Sequence, residues 1–233
     1  NNVGTSLMAL DRAEEALRSS RSPDELRTAL DGAIEEADNL IRVFNALLML
    51  ARLEAGRVSD NMAELDLSEI VSGMAELYEP LAEEAGLSLV GEVEPGLRVF
   101  GNRELIGQAL ANLVENAIKY GRPDQSDAAS VSQEVLIEAR REGSQVLLSV
   151  TDHGPGIPEA DRSHAVQRFV RLEASRTLPG SGLGLSLAAA VATLHGGELR
   201  LTDAGPGLRA TLAFPARAGD AQSATQTAEQ KSA

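Results

Sequence analysis

Two short glycine-rich segments constrain this chain more than any other feature of its sequence. The first is Asp152–Pro158, the second is Gly180–Leu185, and the 21 residues between them are polar without a long apolar period. Glycine allows the backbone to approach a phosphate closely. The second segment runs into a predicted helix at Leu185–Val191, and the N–H groups at the start of a helix attract anions. The two segments together predict a nucleotide pocket with a lid between its glycine-rich walls.

The composition excludes several classes of function and site. The 233 residues carry a formal net charge of −14, whereas nonspecific nucleic-acid binding needs a basic surface. Cysteine is absent, which excludes disulfides and thiolate metal sites and is compatible with a reducing compartment. No apolar run reaches the ~18 residues of a membrane-spanning helix. We therefore expect a cytoplasmic segment without nucleic-acid or membrane contact, and the sequence leaves open whether a longer parent protein is anchored in the inner membrane.

A helix predicted to begin at Ser22 or Asp24 and to end at Gly56 follows a shorter one at residues 1–20. Its apolar residues alternate steps of four and three, which is a heptad pattern: Leu26, Leu30, Ala33, Ala37, Leu40, Phe44, Leu47 and Ala51. Ile34, Ile41 and Leu48 widen this stripe, and so wide a stripe is typical of a four-helix bundle. A lone hairpin cannot bury it, so we expect a dimer of helical hairpins; the alternative is that the hairpin packs on its own second domain.

The remaining chain alternates predicted helices and strands. After a linker or short strand at 61–67, we expect the following elements: helix 67–85, strands 87–93 and 97–100, helix 102–120, a hairpin of strands 135–140 and 146–151, a helix ending near Leu194, and a closing hairpin of strands 198–202 and 208–214. From Ala216 the sequence is rich in Ala, Gln, Ser and Thr without a period, and this predicts a disordered tail.

The predicted helix 102–120 has a polar face with an unusual composition. Asn112, Glu115, Asn116 and Lys119 recur at steps of three and four and therefore share one side of the helix. Amide and carboxylate oxygens suit Mg²⁺, and a lysine one turn further is a point charge for phosphate. The alternative is an ordinary solvated face, but asparagine is a poor helix former and two of them within a helix disfavour that interpretation.

Four motifs in order resemble those of sensor histidine kinases, within the gyrase, Hsp90, histidine kinase and MutL superfamily. The resemblance to their N, G1, F and G2 boxes is carried by Asn112–Tyr120, by Asp152, Gly154 and Gly156, by Arg168–Arg171, and by Gly180–Leu185. The end of the hairpin, Leu50–Arg57, is similar to the end of the family's dimerisation and phosphotransfer domain.

The resemblance implies an α+β protein: a helical hairpin that forms a dimeric four-helix bundle, then a two-layer α/β sandwich, the Bergerat ATP-binding fold. On this basis we divide the chain into a hairpin truncated at its N-terminus (1–57), a linker (58–66), an ATP-binding catalytic domain (67–216) and a disordered tail (217–233). The resemblance also implies ATP and Mg²⁺ as cofactors. It implies a homodimer formed by the hairpin, and a response-regulator receiver domain as partner.

The resemblance assigns roles to individual residues. It implies that Asp152 accepts a hydrogen bond from the adenine amino group, with help from Thr211 through water. It places Mg²⁺ on Asn116 with Asn112, and it places Arg168 or Arg171 at the γ-phosphate or the lid. The other residues that it places in the nucleotide site are Lys119, Tyr120, Gly154, Gly156, Ile157, Gly180, Ser181, Gly182, Leu183, Gly184 and Leu185.

The acceptor histidine of the family has no match in this sequence. None of the three histidines, His153, His164 and His195, lies in the expected motif, and Asp24–Leu30 imitates that motif too close to Arg57 to leave room for two long helices. We therefore expect a fragment of a longer protein with the acceptor upstream of residue 1. Two alternatives stay open: a non-kinase ATPase of the same superfamily, and a dimeric pseudokinase scaffold that docks a receiver domain.

Overall fold

The computed structural model describes residues 61–122, 133–171 and 182–216, together with twelve scattered residues between 24 and 49. All of these scattered residues are helical, as the heptad pattern predicts. The rest of the predicted hairpin and the predicted tail at 217–233 lie outside the described residues. Among the described residues, no helix is long and apolar enough to span a membrane.

A five-stranded mixed sheet forms one layer of the domain. Its strands are β2 (Ser88–Val93), β4 (Glu134–Glu142), β5 (Gln145–Thr151), β6 (Glu198–Asp203) and β7 (Leu208–Pro215), in the order β2-β4-β5-β7-β6. Only the β2–β4 pair is parallel. The last of the described strands, β7, therefore lies inside the sheet, between β5 and β6.

Three helices cover one face of this sheet: α1 (Leu67–Glu84), α2 (Arg103–Tyr120) and α4 (Gly184–Leu194). The core lies between the two layers, where alternate residues of each central strand meet the apolar helix faces. In β5 these residues are Val146, Leu148 and Val150, and in β7 they are Ala210, Leu212 and Phe214. The predicted two-layer α/β arrangement is confirmed for the described part of the chain.

Both long helices begin with a polar side chain that accepts a backbone hydrogen bond. The carboxylate of Asp66 accepts from the N–H of Ser68 at 2.8 Å, and Oδ1 of Asn102 accepts from the N–H of Leu105 at 3.1 Å. Between the two helices, the hydroxyl of Tyr78 donates to Oε1 of Glu115 at 2.7 Å. Glu115 therefore faces α1 and ties the two helices together.

Two short elements lie outside the main layers. Strand β1 (Ala63–Asp66) pairs antiparallel with β3 (Arg98–Gly101), so the end of the predicted linker joins the folded domain. Helix α3 (Glu159–Ala165) follows the first glycine-rich segment, in a polar stretch where the sequence pattern predicts no helix. It begins with acidic residues in its first turn, which favours this helix through the helix dipole.

The sheet face away from the helices carries a ladder of opposite charges. Arg140 lies 3.0 Å from a carboxylate oxygen of Glu142, and Arg209 lies 3.2 Å from one of Glu138. The Arg209–Glu138 pair spans β5, where Nε of Arg209 also donates to the hydroxyl of Thr151 at 3.0 Å. The charged ladder gives this face a polar surface, so the apolar core needs only one helical layer.

Candidate nucleotide site

Asp152 lies directly after β5, at the point where the sheet meets the end of α2. Its side chain is only 7% exposed. Oδ1 accepts hydrogen bonds from the backbone N–H groups of Gly154 at 3.0 Å and of Leu208 at 3.2 Å. The backbone N–H of Asp152 in turn donates to the carbonyl of Leu208 at 3.0 Å. These bonds fix the carboxylate with one oxygen occupied by the protein backbone.

Burial has an electrostatic cost at this carboxylate. It raises the pKa of Asp152 above the ordinary value of an aspartate, while the two backbone N–H groups and the nearby His153 act in the opposite direction. A buried carboxylate that keeps its charge needs donors, and the backbone supplies them to one oxygen. The arrangement can accept a further donor from a ligand at the other oxygen.

Glycines allow three chain segments to meet around Asp152. A Cβ added to Gly154 would collide with the carbonyl oxygen of Tyr120, and one added to Gly121 would lie 2.6 Å from Cβ of Asp152. Gly207, at φ +109°, lies so close to the backbone of Asp152 that a Cβ there would collide with its carbonyl oxygen. The end of α2, the segment after β5 and the β6–β7 turn therefore form one tightly packed wall.

The two asparagines of α2 face the start of α4. A Cβ added to Gly184, the first residue of α4, would lie 3.4 Å from Nδ2 of Asn116 and 3.5 Å from Oδ1 of Asn112. The Nδ2 group of Asn112 donates to the carbonyl of Gln108 at 2.9 Å, which turns its Oδ1 toward Gly184. The structure therefore brings the predicted metal and phosphate residues of the two motifs together.

The donor set in this gap suits Mg²⁺. Within the described ranges, no cluster of three or more His, Cys, Asp or Glu side chains could hold a metal ion. Mg²⁺ typically keeps several waters and binds through one or two protein oxygens together with substrate phosphates. Oδ1 of Asn112 faces this gap and fits that mode of binding, whereas Asn116 presents its Nδ2 group there and would offer its oxygen after rotation of the amide.

Cationic and aromatic residues gather at the C-terminal end of α2. Nζ of Lys119 lies 5.1 Å from the centre of the Tyr120 ring. Burial raises the pKa of Tyr120, and the positive charge of Arg171 lowers it, which places Arg171 close to this ring. Lys119, Tyr120 and Arg171 are therefore neighbours, as expected if all three serve one site.

A backbone hydrogen bond joins the predicted F motif to the second glycine-rich segment. The N–H of Phe169 donates to the carbonyl of Gly182 at 3.0 Å. Phe169 has φ 62° and Gly182 has φ 70°, and a Cβ on Gly182 would lie 2.7 Å from the carbonyl oxygen of Val170. Arg168, whose side chain is exposed, precedes this contact. Glycine is required at position 182 by both its conformation and this close approach.

The structure does not bring every predicted residue to the site. Thr211 is on the opposite sheet face, where its hydroxyl lies 2.9 Å from that of Ser149, so the prediction that it assists Asp152 is wrong. Strand alternation explains this, because its neighbours Ala210 and Leu212 occupy the helix-covered face. The side chain of Leu183 is buried in the core, which leaves only its backbone for a ligand.

The remaining predicted site residues either make packing and hydrogen-bond contacts within the protein or lie outside the described residues. Leu185 is half-buried and packs against the core. Gly156, at φ 68°, packs against the carbonyl of Gly207, and the carbonyl of Ile157 accepts a hydrogen bond from Nε of Arg162 at 3.0 Å. Gly180 and Ser181 lie outside the described residues. The sequence interpretation missed Leu208, because its contribution is a backbone N–H; the nearby Gly-Pro-Gly turn at 205–207 was the available signal.

Comparisons with known proteins agree with this geometry. Residues 101–218, just over half of the chain, match the family model described as histidine kinase-, DNA gyrase B- and HSP90-like ATPase. The sensor-like histidine kinase SenX3 of Mycolicibacterium smegmatis is 32% identical over 206 residues, which cover 87% of this chain and 52% of that protein. The chain spans about half the length of the curated relatives it matches.

Two solved structures share the fold. Full-length ShkA in complex with AMPPNP is 24% identical with a TM-score of 0.67, over 91% of this chain and 43% of that chain. The mycobacterial sensor histidine kinase MprB is 28% identical with a TM-score of 0.55, over 67% of this chain and 98% of that chain. The chain therefore belongs to the histidine kinase-, DNA gyrase B- and HSP90-like ATPase family, and it carries an ATP-binding domain of the histidine kinase type.

Proposed function

We propose that this chain is the dimerisation and ATP-binding core of a sensor histidine kinase. In this proposal it binds ATP with Mg²⁺ and directs the γ-phosphate to a histidine outside this sequence, for relay to a response-regulator aspartate. The observation that carries the proposal is the joint placement of Asp152 at one end of the site and the Asn112–Asn116 pair opposite Gly184 at the other. The relatives that share most of this chain are sensor kinases, which supports the same conclusion.

At the adenine end, Asp152 is the specificity residue of the proposal. Its Oδ1 is engaged by the N–H groups of Gly154 and Leu208, so we assign the adenine amino group to Oδ2. An amino donor is the feature that distinguishes adenine from a base with an oxygen at the same position. A buried carboxylate rejects such a base, because two acceptors would then face each other without water.

At the phosphate end, the chain supplies positioning and charge. Asn112 and Asn116 would hold Mg²⁺, and bound Mg²⁺ would neutralise charge on the phosphate oxygens. The N–H groups at the start of α4 would donate hydrogen bonds to a phosphate. Lys119 at the end of α2, and Arg171 beside that end, would add positive charge. Phosphoryl transfer needs alignment and charge neutralisation more than covalent assistance, and this set of residues offers both.

The proposal also includes an acceptor histidine outside this sequence and a homodimer formed by the helical hairpin. His195 is buried at the end of α4, and His164 lies exposed on the short α3 instead of on a bundle helix. In the single chain, the heptad residues Leu30, Ile34 and Phe44 are 42–60% exposed. Burial of this apolar stripe against a second hairpin supports a homodimer, because large exposed apolar patches mark interfaces.

Calorimetric titration of the intact chain tests the nucleotide site. We expect ATP binding that strengthens in the presence of Mg²⁺ and that Asp152→Asn weakens by more than about tenfold, since a hydrogen bond to a charged group is worth about 1.5–3 kcal/mol. Thr211→Val is the matched control, because Thr211 lies on the other sheet face. A chain that binds no ATP, or equal losses in the two variants, would contradict the proposal.

Phosphotransfer is tested in the longer parent protein. Incubation with γ-labelled ATP should give an acid-labile, base-stable phosphoprotein that Asp152→Asn abolishes. Steady ATP hydrolysis without any phosphohistidine would favour the ATPase alternative instead. Signalling that survives Asp152→Asn would favour the scaffold.

A further inference from the structure

His195 connects the two helices that carry the proposed phosphate end of the site. It follows the last residue of α4, and its side chain is 8% exposed. Nε2 accepts a hydrogen bond from the backbone N–H of Asn102 at 3.0 Å, while Nδ1 donates to the carbonyl of Val191 at 2.7 Å. This pair of bonds requires the neutral ring with its proton on Nδ1, and burial lowers the pKa of His195 in agreement. One ring therefore links the C-terminal end of α4 to the N-terminal end of α2.

The link lies at the opposite end of the helix pair from the proposed phosphate site. Gly184 begins α4 beside Asn112 and Asn116, whereas His195 ends it beside Asn102. The two helices therefore run antiparallel, and the 11 residues of α4 separate the two contacts by about 16 Å at a rise of about 1.5 Å per residue. Because a helix is nearly rigid along its axis, a shift of α4 at His195 shifts Gly184 against the asparagines.

The surroundings of the ring leave it little freedom. A Cβ on Gly101 would lie 2.7 Å from Cδ2 of His195 and 2.6 Å from Ile106. Phe214 of β7 packs edge-on against the ring, with centroids 5.8 Å apart and an interplanar angle of 78°. Asn102, whose backbone N–H donates to Nε2 of the ring, is also the residue whose side chain caps α2. The ring is thus fixed to the sheet and to the first turn of α2.

We propose that His195 is a positioning residue for Mg²⁺ binding: it sets the axial position of α4 along α2 and thereby the gap between Gly184 and the Asn112–Asn116 pair. The inference rests on the proposed function, because it concerns the same site. It assigns His195 no contact with the nucleotide. Its effect is specific to the phosphate end, since the backbone bonds of Asp152 involve neither Asn102 nor Val191.

Two substitutions of His195 test its hydrogen bond with Asn102 separately from its hydrogen bond with Val191. In His195→Asn, the shorter amide can still donate to Val191 from near the Nδ1 position but does not extend to Asn102. In His195→Gln, the longer side chain can place an amide oxygen near the Nε2 position and accept from Asn102. We expect His195→Asn to reduce the gain in ATP affinity that Mg²⁺ gives by about tenfold and to change ATP affinity in EDTA by less than about twofold. His195→Gln should restore most of that gain.

A loss of stability alone must be distinguished from a loss of positioning. Val71→Ala serves as control, because it removes core volume where α1 packs on Gly91 of β2 and affects neither hydrogen bond of His195. The three variants and the wild type are compared by calorimetric titration well below their melting temperatures. The inference would be overturned if Mg²⁺ raised the ATP affinity of His195→Asn as much as that of the wild type, or if His195→Asn lost as much ATP affinity in EDTA as with Mg²⁺. It would also be overturned if Val71→Ala lost the same part of the Mg²⁺-dependent gain in affinity. A wild-type chain that binds no ATP would overturn the proposed function itself, which is a separate result.

Discussion

At Asp152, the carboxylate that we assign to adenine works against the stability of the ligand-free domain. It is buried, its pKa is raised by burial, and the backbone satisfies only Oδ1. Binding sites often contain such locally unfavourable groups, which the surrounding structure holds in place. The tight glycine contacts of Gly121, Gly154 and Gly207 hold this one in place here.

Asp152→Asn should therefore raise the melting temperature of the free domain while it weakens ATP binding. The amide oxygen can keep both backbone bonds at the Oδ1 position without the cost of a buried charge. Its NH₂ group then takes the Oδ2 position, where it would face the amino group of adenine, donor against donor. Thermal unfolding of the apo variant and calorimetric titration with ATP measure the two effects. A variant that melts below the wild type and binds ATP normally would contradict both expectations.

At the scale of elements, α2 contains a glycine whose conformational cost brings no packing benefit. A Cβ on Gly107 would meet no atom within 4 Å, in contrast to Gly121 at the end of the same helix. Gly107→Ala should stabilise the domain by roughly 0.5–1 kcal/mol, because alanine loses less backbone entropy within a helix. Gly121→Ala is the comparison variant with the opposite expected effect. It should destabilise the domain, because the added Cβ would collide with the carbonyl of Ala117. Urea unfolding of both variants is the measurement, and equal midpoints would contradict the prediction.

The elements themselves could be predicted from the sequence, but their arrangement could not. The apolar periods of α1 and α2 and the alternation in β5 and β7 identify these elements to within a residue or two. The 7-residue α3 is too short and polar for a period. The parallel pairing of β2 with β4 depends on distant contacts that no local pattern contains. In the site, Asn112 and Asn116 could be identified by their side chains, whereas Leu208 contributes a backbone group and Thr211 required the alternation of β7 to be considered.

For the whole molecule, two buried groups give stability opposite dependences on pH. Burial lowers the pKa of His195 below 6.5. The stability that the neutral ring gives the fold is therefore fully present above about pH 6.5 and is lost as pH falls through the folded-state pKa of His195. The pKa of Asp152 is raised above 3.8, so its contribution is present below that value and is lost as pH rises through its folded-state pKa. Acid therefore weakens the domain through the histidine, whereas protonation of the aspartate acts in the opposite direction.

His195→Gln should flatten the loss of stability between pH 7.5 and pH 5.5, because glutamine takes up no proton there. Urea midpoints at the two pH values measure this, with His164→Gln as the matched control since His164 is exposed on α3. We expect the control to keep the wild-type difference between the two midpoints. The same difference in His195→Gln would show that another group causes the acid sensitivity.

The position of β7 between β5 and β6 has a consequence for synthesis on the ribosome. The adenine end of the site needs the N–H of Leu208 and the close approach of Gly207, and both belong to the last strand and the turn before it. A nascent chain that has emerged only as far as α4 contains every motif residue and still lacks the wall of the pocket. Until β7 inserts, the edge of β5 stays open to other strands, so the most vulnerable moment of this domain comes at the end of its translation.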